Sequence, residues 1–251
     1  MEVAILTVGD ELLSGDTENT NATWLARQVT ARGATVTRIL VVPDDRGVIA
    51  DYVRQWADRF DAVVVTGGLG GTHDDVTMDA VADALGRDLV VDPDAKDAVI
   101  CTAAEFRDAN PELVDAYDLD LDVDAWASVP EGARVLENEA GLAPGCAVDA
   151  DGATVYVTPG IPAEMKAVFE TVADEFGGDV VSERIYTPAP EGAITDLLAE
   201  LHDTFDVAVG SYPSEEGPNS VKVTGTDLDE VSKAVSWLEE RLETVEPEDA
   251  A

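Results

Sequence analysis

The chain has 251 residues, of which 45% are hydrophobic, and can therefore bury a sizeable core in one large or two unequal domains. Its 53 acidic residues outnumber its 15 basic residues and give a formal net charge of −38. This charge argues against nucleic acid or an anionic membrane surface as a partner, because both bind positive surfaces.

The first third of the chain alternates predicted strands and helices. Apolar runs predict strands, and helical spacing of apolar residues predicts the segments between them. The strands are expected at residues 3–8, 35–42 and 61–66, and the helices at about 19–32, 48–56 and 76–85. This order predicts an α/β fold, a doubly wound and mostly parallel sheet with helices on both faces. Trp24 and Trp56 are assigned to the core between the helices and the sheet.

Residues 66–77, TGGLGGTHDDVT, follow the third strand and precede a helix. Glycines let a ligand approach the backbone N–H groups, and the first turn of a helix has unpaired N–H groups that favour anions. The stretch fits neither the G-x-G-x-x-G fingerprint nor the P-loop. It predicts a site for phosphate or a phosphorylated cofactor, with binding residues Gly67, Gly68, Gly70, Gly71 and Thr72. The alternative interpretation is a tight surface turn in which Asp74 or Asp75 caps the helix.

Acidic residues occur in two predicted loops that leave carboxyl ends of the sheet, where ligands of such folds bind. Asp10 and Glu11 follow the first strand, and Asp74 and Asp75 follow the glycines. Adjacent carboxylates would repel a phosphate unless a divalent cation lay between them. We predict that Asp75, Asp74 and Asp10 bind Mg²⁺, Mn²⁺ or Co²⁺, and that Asp75, Asp10 and Glu11 are catalytic. His73 is either a further candidate base or an exposed histidine without a role.

The middle of the chain is less regular. A helix is expected at 93–107, and residues 115–124 alternate acidic and apolar side chains, which is typical of a solvated helix or loop. Short strands are expected at 134–137 and 154–158.

The turn at 159–162 again connects a predicted strand to a predicted helix, here at 163–176. Pro159, Gly160 and Pro162 are therefore a second candidate edge for binding a phosphate or a ring. A purely structural turn is the alternative interpretation.

The pattern changes near residue 178. Residues 1–178 are predicted to form the cofactor domain, and residues 179–245 a small β-α-β-β-α domain. The tail at 246–251 is expected to be frayed.

The cysteines, the N-terminus and the acidic residues indicate the cellular compartment and the salt concentration in which the protein works. Cys101 and Cys146 form no C-x-x-C motif, so neither a zinc site nor a disulfide framework is indicated. The N-terminus is too short for a signal peptide, and no apolar run reaches the roughly 18 residues of a membrane span, so we expect a cytoplasmic protein. The acid-rich surface with only four lysines favours a protein adapted to high salt, where charge screening weakens self-repulsion.

Four motifs in order resemble the competence/damage-inducible protein A (CinA) family and, more broadly, the molybdopterin-binding domain of molybdenum-cofactor biosynthesis proteins of the MoaB and Mog type. The motifs are GDELLSGDTENTN at 9–21, TGGLGGTHDDVT at 66–77, GLAPG at 141–145 and TPGIPAEM at 158–165. The resemblance covers about residues 1–175, and the 180–245 segment is similar to the small domain that follows in CinA-like proteins. It implies a doubly wound α/β fold and a homo-oligomer, a dimer or trimer. Many members carry a further nicotinamide mononucleotide deamidase domain; this sequence ends before one would begin, and we do not expect that activity.

The resemblance also implies a function. CinA-type domains are expected to hydrolyse the pyrophosphate bond of ADP-ribose or FAD with a divalent metal ion. Two alternatives remain: a molybdopterin-binding protein or molybdopterin adenylyltransferase, and a non-catalytic binding module. The family's glycine loop falls on Gly67, Gly68 and Gly70, and its functional aspartate falls on Asp75. Gly71 stands where proline is common and Leu142 where threonine is usual, so the resemblance does not fix the substrate.

Overall fold

The computed structural model describes residues 1–116, 121–214 and 217–246, without the side chains of 114–116. Part of the predicted 115–124 segment and nearly all of the predicted frayed tail therefore lie outside the described residues. The chain divides into two compact units, Met1–Gly177 and Gly178–Ala251.

The first unit is built on a six-stranded sheet with the strand order β2-β1-β3-β8-β7-β6. The first four of these strands are parallel, and β7 and β6 are antiparallel to their neighbours. A separate antiparallel pair joins β4 to β5. The strands of this unit are β1 (Glu2–Val8), β2 (Thr35–Val42), β3 (Ala62–Thr66), β4 (Leu89–Val91), β5 (Ser128–Pro130), β6 (Arg134–Leu136), β7 (Gly145–Asp149) and β8 (Thr154–Thr158).

Helices cover both faces of this sheet. They are α1 (Asp10–Ser14), α2 (Thr20–Ala31), α3 (Arg46–Ala57), α4 (Thr77–Leu85), α5 (Pro93–Ala109), α6 (Pro111–Ala116), α7 (Val123–Trp126) and α8 (Pro162–Glu170), with a 3-10 turn at Ala173–Glu175. Alternate residues of β1 point to opposite faces: Leu6 packs in the core beneath α3 and α4, and Ile5 packs in the core beneath α2 and α8. The predicted doubly wound, mostly parallel α/β sheet is confirmed.

Several short elements differ from the prediction. Asp10 and Glu11 belong to the short helix α1 rather than to a loop, and β4, β5 and β7 were not predicted. These elements have three to five residues, too few for a period to appear in the sequence. The helix expected at 163–176 ends at Glu170 and is followed by the 3-10 turn.

The second unit has the predicted β-α-β-β-α order. It consists of β9 (Val181–Thr187), α9 (Glu191–Thr204), β10 (Ala208–Tyr212), β11 (Asn219–Gly225) and α10 (Leu228–Glu239). Its antiparallel sheet has the order β10-β11-β9, and one face packs with Leu201 of α9 and Leu238 of α10. No described helix of either unit is long and apolar enough to cross a membrane.

Candidate functional site

The loops that follow β1, β3 and β8 meet at Gly67. Its N–H donates to the carbonyl oxygen of Thr158 at 3.2 Å, and a Cβ on Gly160 would lie 3.2 Å from its Cα. Gly67 has φ +107°, and a Cβ there would lie 3.2 Å from the carbonyl carbon of Val8 and closer still to its oxygen. Only glycine fits this position without displacing the end of β1.

The glycine loop presents a row of unpaired backbone donors. Within the described residues, the N–H groups of Gly68, Leu69, Gly70 and Gly71 donate no hydrogen bond. Helix α4 follows, and no side chain caps its first turn. Both features are typical of anion-binding sites, since consecutive N–H groups and a helix N-terminus offer partial positive charge.

A cavity of about 170 Å³ lies beside this loop. Of the predicted site residues, Gly68, Gly70, Gly71, Thr72 and Asp75 line it. Residues not predicted for the site complete the wall, among them Met78, Leu89, Trp126 and Pro144.

Asp75 fixes the shape of the glycine loop. Its Oδ2 accepts hydrogen bonds from the backbone N–H of Thr72 at 2.9 Å and from the Thr72 hydroxyl at 2.5 Å. A Cβ on Gly70 would lie 3.0 Å from the Asp75 carboxyl carbon, so the aspartate packs directly against that glycine. At least one Asp75 oxygen is thus committed to holding the loop.

Carboxylates of the segments that follow β1, β2 and β3 lie near one another at the carboxyl edge of the sheet. Asp44, after β2, accepts a hydrogen bond from the backbone N–H of Asp10 at 2.9 Å. Burial raises the pKa of Asp44, and the negative charges of Asp10, Glu11 and Asp74 raise it further. Hydrogen bonding, chiefly from Thr72, lowers the pKa of Asp74.

Asp44 was absent from the sequence-predicted site. The sequence nevertheless places Asp44 directly after the segment that forms β2, and the rule that parallel strands end at the same edge would have placed it beside Asp10.

The predicted metal ligands are not gathered into a cage. No group of three or more His, Cys, Asp or Glu side chains among the described residues is placed to hold a metal ion. Mg²⁺ is commonly bound by one or two carboxylates together with phosphate oxygens and water. Asp10 and Asp74, whose charges both act on Asp44, fit that kind of donor set, although Thr72 also hydrogen-bonds to Asp74; Asp75 accepts two hydrogen bonds from Thr72. The metal ligands therefore stay a prediction that depends on a bound phosphate.

A second, smaller cavity of about 80 Å³ adjoins Gly67. The predicted site residues Glu11, Gly67, Gly160 and Pro162 line it. Asn21, of which 8% is exposed, also lines it and donates from Nδ2 to the carbonyl oxygen of Gly160 at 2.7 Å.

Pro159 has a structural contact in the described part of the chain, since its carbonyl oxygen accepts the Thr66 hydroxyl at 2.8 Å. His73 is 98% exposed and lies 3.8 Å from Asp74. The two cavities thus contain most of the predicted site residues, whereas Asp10, Asp74 and Pro159 line neither of them.

The GLAPG segment is held against the first cavity by two residues that sequence reasoning missed. Asn138 donates from Nδ2 to the carbonyl oxygen of Ala143 at 2.8 Å and to Oε2 of Glu164 at 2.7 Å. Burial raises the pKa of Glu164, and the Asn138 hydrogen bond opposes that shift. These contacts position the Ala143 and Pro144 part of the cavity wall.

A family model described as "probable molybdopterin binding domain" matches residues 4–177. The chain belongs to this family. A second model, described as "FAD synthase, middle domain", matches residues 179–249. The family therefore accounts for the first unit, and the second match falls on the second unit.

Similar proteins extend the family assignment. A protein of Archaeoglobus fulgidus is 38% identical over 244 residues, which cover 96% of this chain and 98% of that protein. A CinA-like protein of Salinibacter ruber is 35% identical over 227 residues, which cover 86% of this chain and 53% of that protein. The crystal structure of CinA from Thermoplasma acidophilum is 33% identical and superposes with a TM-score of 0.62, covering 70% of this chain and 99% of that one. The predicted resemblance to CinA-like proteins is confirmed.

Proposed function

We propose that the first cavity binds the phosphates of a nucleotide cofactor of the ADP-ribose or FAD type, and that the chain hydrolyses the pyrophosphate bond with a divalent cation. The observation that carries the proposal is the row of four free N–H groups at Gly68–Gly71, beside a helix start without a side-chain cap. Phosphate oxygens are the natural acceptors for such a row.

The charge around the cavity accounts for the need for a cation. The described residues that line the cavity include Asp75 and Asp79 but no lysine or arginine. Asp79 pairs with Arg46 at 2.9 Å and Asp75 accepts from Thr72, so part of their charge is offset. The remaining positive charge for a diphosphate has to come from the backbone N–H groups and a metal ion.

The carboxylate edge supplies the chemistry. Asp10 and Asp74 would hold a Mg²⁺, Mn²⁺ or Co²⁺ ion, which when bound supplies Lewis-acid stabilisation of the phosphate charge. Asp44 is the carboxylate suited to accept a proton, because its pKa is raised by burial and by its acidic neighbours. A water molecule is the nucleophile: as its proton passes to Asp44, its oxygen forms a bond to phosphorus and the bridging P–O bond breaks. The products are AMP and the other monophosphate, ribose 5-phosphate from ADP-ribose or FMN from FAD.

Molybdopterin binding, with or without transfer of an adenylyl group, is the second candidate. The family description favours it, since the model that matches residues 4–177 is named for molybdopterin binding. The match of residues 179–249 to a domain of FAD synthase favours a flavin or adenine nucleotide instead. Both candidates use the free N–H groups in the same way and differ in the ligand and in turnover.

The test is release of AMP from ADP-ribose and from FAD in molar KCl, with Mg²⁺, Mn²⁺ or Co²⁺ and with EDTA. We expect metal-dependent release that falls about 100-fold or more in Asp44→Asn, the usual cost of losing a general base. Asp97→Asn, which removes an exposed acid of α5, is the matched control and should keep wild-type activity. Absence of AMP release with every metal, combined with tight molybdopterin binding, would replace hydrolysis by the second candidate.

A further inference from the structure

The proposed ligands all carry a ring that the glycine loop does not contact. Adenine, isoalloxazine and pterin are planar heteroaromatic rings, and backbone N–H groups at a phosphate cannot distinguish a ring from a bare diphosphate. Recognition of the ring needs a flat apolar surface near the phosphate site. Among the described residues that line the first cavity, Trp126 is the aromatic one.

Trp126 lies directly against the glycine loop. A Cβ on Gly71 would be 2.8 Å from Nε1, 2.9 Å from Cζ2 and 3.0 Å from Cε2 of the indole. These distances are shorter than ordinary van der Waals contact, so the missing side chain at Gly71 is what lets the indole approach the loop. The ring and the free N–H groups consequently border the same cavity.

The indole of Trp126 has no partner within the described parts of the chain. Its N–H donates no hydrogen bond, and its ring packs against no other aromatic ring and no cation. The other three tryptophans each have such a partner: Trp24 contacts Phe169, Trp56 contacts Tyr52 and Phe60, and Trp237 contacts Phe205. Trp126 therefore differs from the tryptophans that serve the core.

The segment that carries Trp126 is held in place independently of the indole. Asp122 caps α7 by accepting from the N–H of Ala125 at 3.1 Å, and Lys96 of α5 pairs with Asp124 at 2.5 Å. Directly after Trp126, the carbonyl oxygen of Ala127 accepts from the N–H of Asp92 at 3.0 Å. The ring thus projects from an anchored support, which lowers the entropy lost when a ligand binds.

We propose that Trp126 is the platform on which the heteroaromatic ring of the ligand stacks while its phosphates occupy the N–H groups of Gly68–Gly71. This inference rests on the proposed function and specifies the substrate class. It requires a phosphate-bearing compound with a planar ring and makes Trp126 the residue that discriminates such a compound from inorganic pyrophosphate.

The test compares two probes, ADP-ribose and inorganic pyrophosphate, by equilibrium titration of the full chain in molar KCl with Mn²⁺, in an Asp44→Asn background that is expected to slow hydrolysis about 100-fold. Trp126→Leu should weaken ADP-ribose binding at least about 5-fold, the lower end of the stacking contribution of an aromatic side chain, and leave pyrophosphate binding unchanged. Trp126→Phe keeps an aromatic face and should retain most of the ADP-ribose affinity. Equal weakening of both probes would show that Trp126 merely shapes the loop and would overturn the platform, as would unchanged ADP-ribose binding.

Tryptophan fluorescence provides a second readout that does not depend on Trp126→Leu being well folded. ADP-ribose should quench part of the wild-type emission, and that quenching should be lost in Trp126→Phe but kept in the control Trp24→Phe. Quenching that survives in Trp126→Phe would place the ring elsewhere and overturn the inference. A wild-type protein that binds neither ADP-ribose nor pyrophosphate would overturn the proposed function as well, whereas intact pyrophosphate binding with no effect of Trp126 would overturn only the platform.

Discussion

Gly67→Ala tests the contact on which both cavities depend. The new Cβ would lie 3.2 Å from the carbonyl carbon and 3.5 Å from the Cβ of Val8, with the Val8 carbonyl oxygen closer still. These are atoms of a buried strand end and cannot rotate away, so the glycine loop has to move on the order of 1 Å. The backbone is also unfavourable for alanine, because φ is +107°.

Gly152 is the control that separates the cost of the positive φ from the cost of the contact with Val8. Gly152 has φ +122°, and a Cβ there meets no atom within 4 Å, so Gly152→Ala carries the backbone penalty alone, about 1–3 kcal/mol. Gly67→Ala adds the cost of overpacking, typically 1–3 kcal/mol. For a unit of this size each 1 kcal/mol lowers the melting temperature by roughly 2–4 °C, so Gly67→Ala should melt about 2–12 °C below Gly152→Ala.

The assay is thermal unfolding of both variants by calorimetry in molar KCl, followed by titration with ADP-ribose. Because the glycine loop is displaced only in Gly67→Ala, this variant should also lose ligand affinity while Gly152→Ala keeps it. Equal melting temperatures with unchanged affinity would refute the reasoning that the Val8 contact fixes the loop.

Three further predictions concern charge and the cavity wall. Asp44→Asn should raise the free energy of unfolding at pH 7, because the folded state raises the pKa of Asp44 and so disfavours its ionised form. This gain should vanish as the pH falls below 3.8, the ordinary pKa of an aspartate, and a gain independent of pH would contradict the prediction. Asn138→Ala removes the donor to Ala143 and to the partly buried Glu164, so the free energy of unfolding in denaturant should fall by about 1–3 kcal/mol and ADP-ribose should bind more weakly. Asn110→Ala, at the end of helix α5, is the control and should keep the ADP-ribose affinity. Raising KCl from about 0.1 to 2 M should raise the melting temperature through screening of the −38 charge, and a flat salt profile would contradict adaptation to high salt.

The main parts of the fold follow from local patterns. The strands predicted at 35–42 and 154–158 match the observed bounds of β2 and β8, and the helix expected from about residue 19 is capped by the side chain of Asn19, which accepts from the N–H of Ala22. The convergence of Asp10 and Asp74 near one edge followed from the rule that parallel strands end together. Local sequence therefore predicted which chain segments surround the site.

The detailed environment of the site could not be derived in this way. Asn138 and Glu164 are 26 positions apart and meet because Asn138 follows β6, the edge strand of the sheet, and Glu164 lies in α8, which packs against that strand. Trp126 reaches Gly71 across 55 residues, from a helix of four residues that has no period of its own. The glycine motif likewise does not show that Gly67 lines the smaller cavity and Gly68 the larger one, because this depends on tertiary contacts.

In the proposed complex, the glycine loop binds the phosphates and Trp126 binds the ring of the same ligand. The decisive experiment is a crystal structure of the full chain carrying Asp44→Asn, grown with ADP-ribose and Mn²⁺ so that hydrolysis is slowed. The account predicts phosphate oxygens on the N–H groups of Gly68–Gly71 and the adenine stacked on Trp126. Ligand density confined to the smaller cavity around Asn21 and Gly160, with the Gly68–Gly71 N–H groups still unpaired, would contradict it.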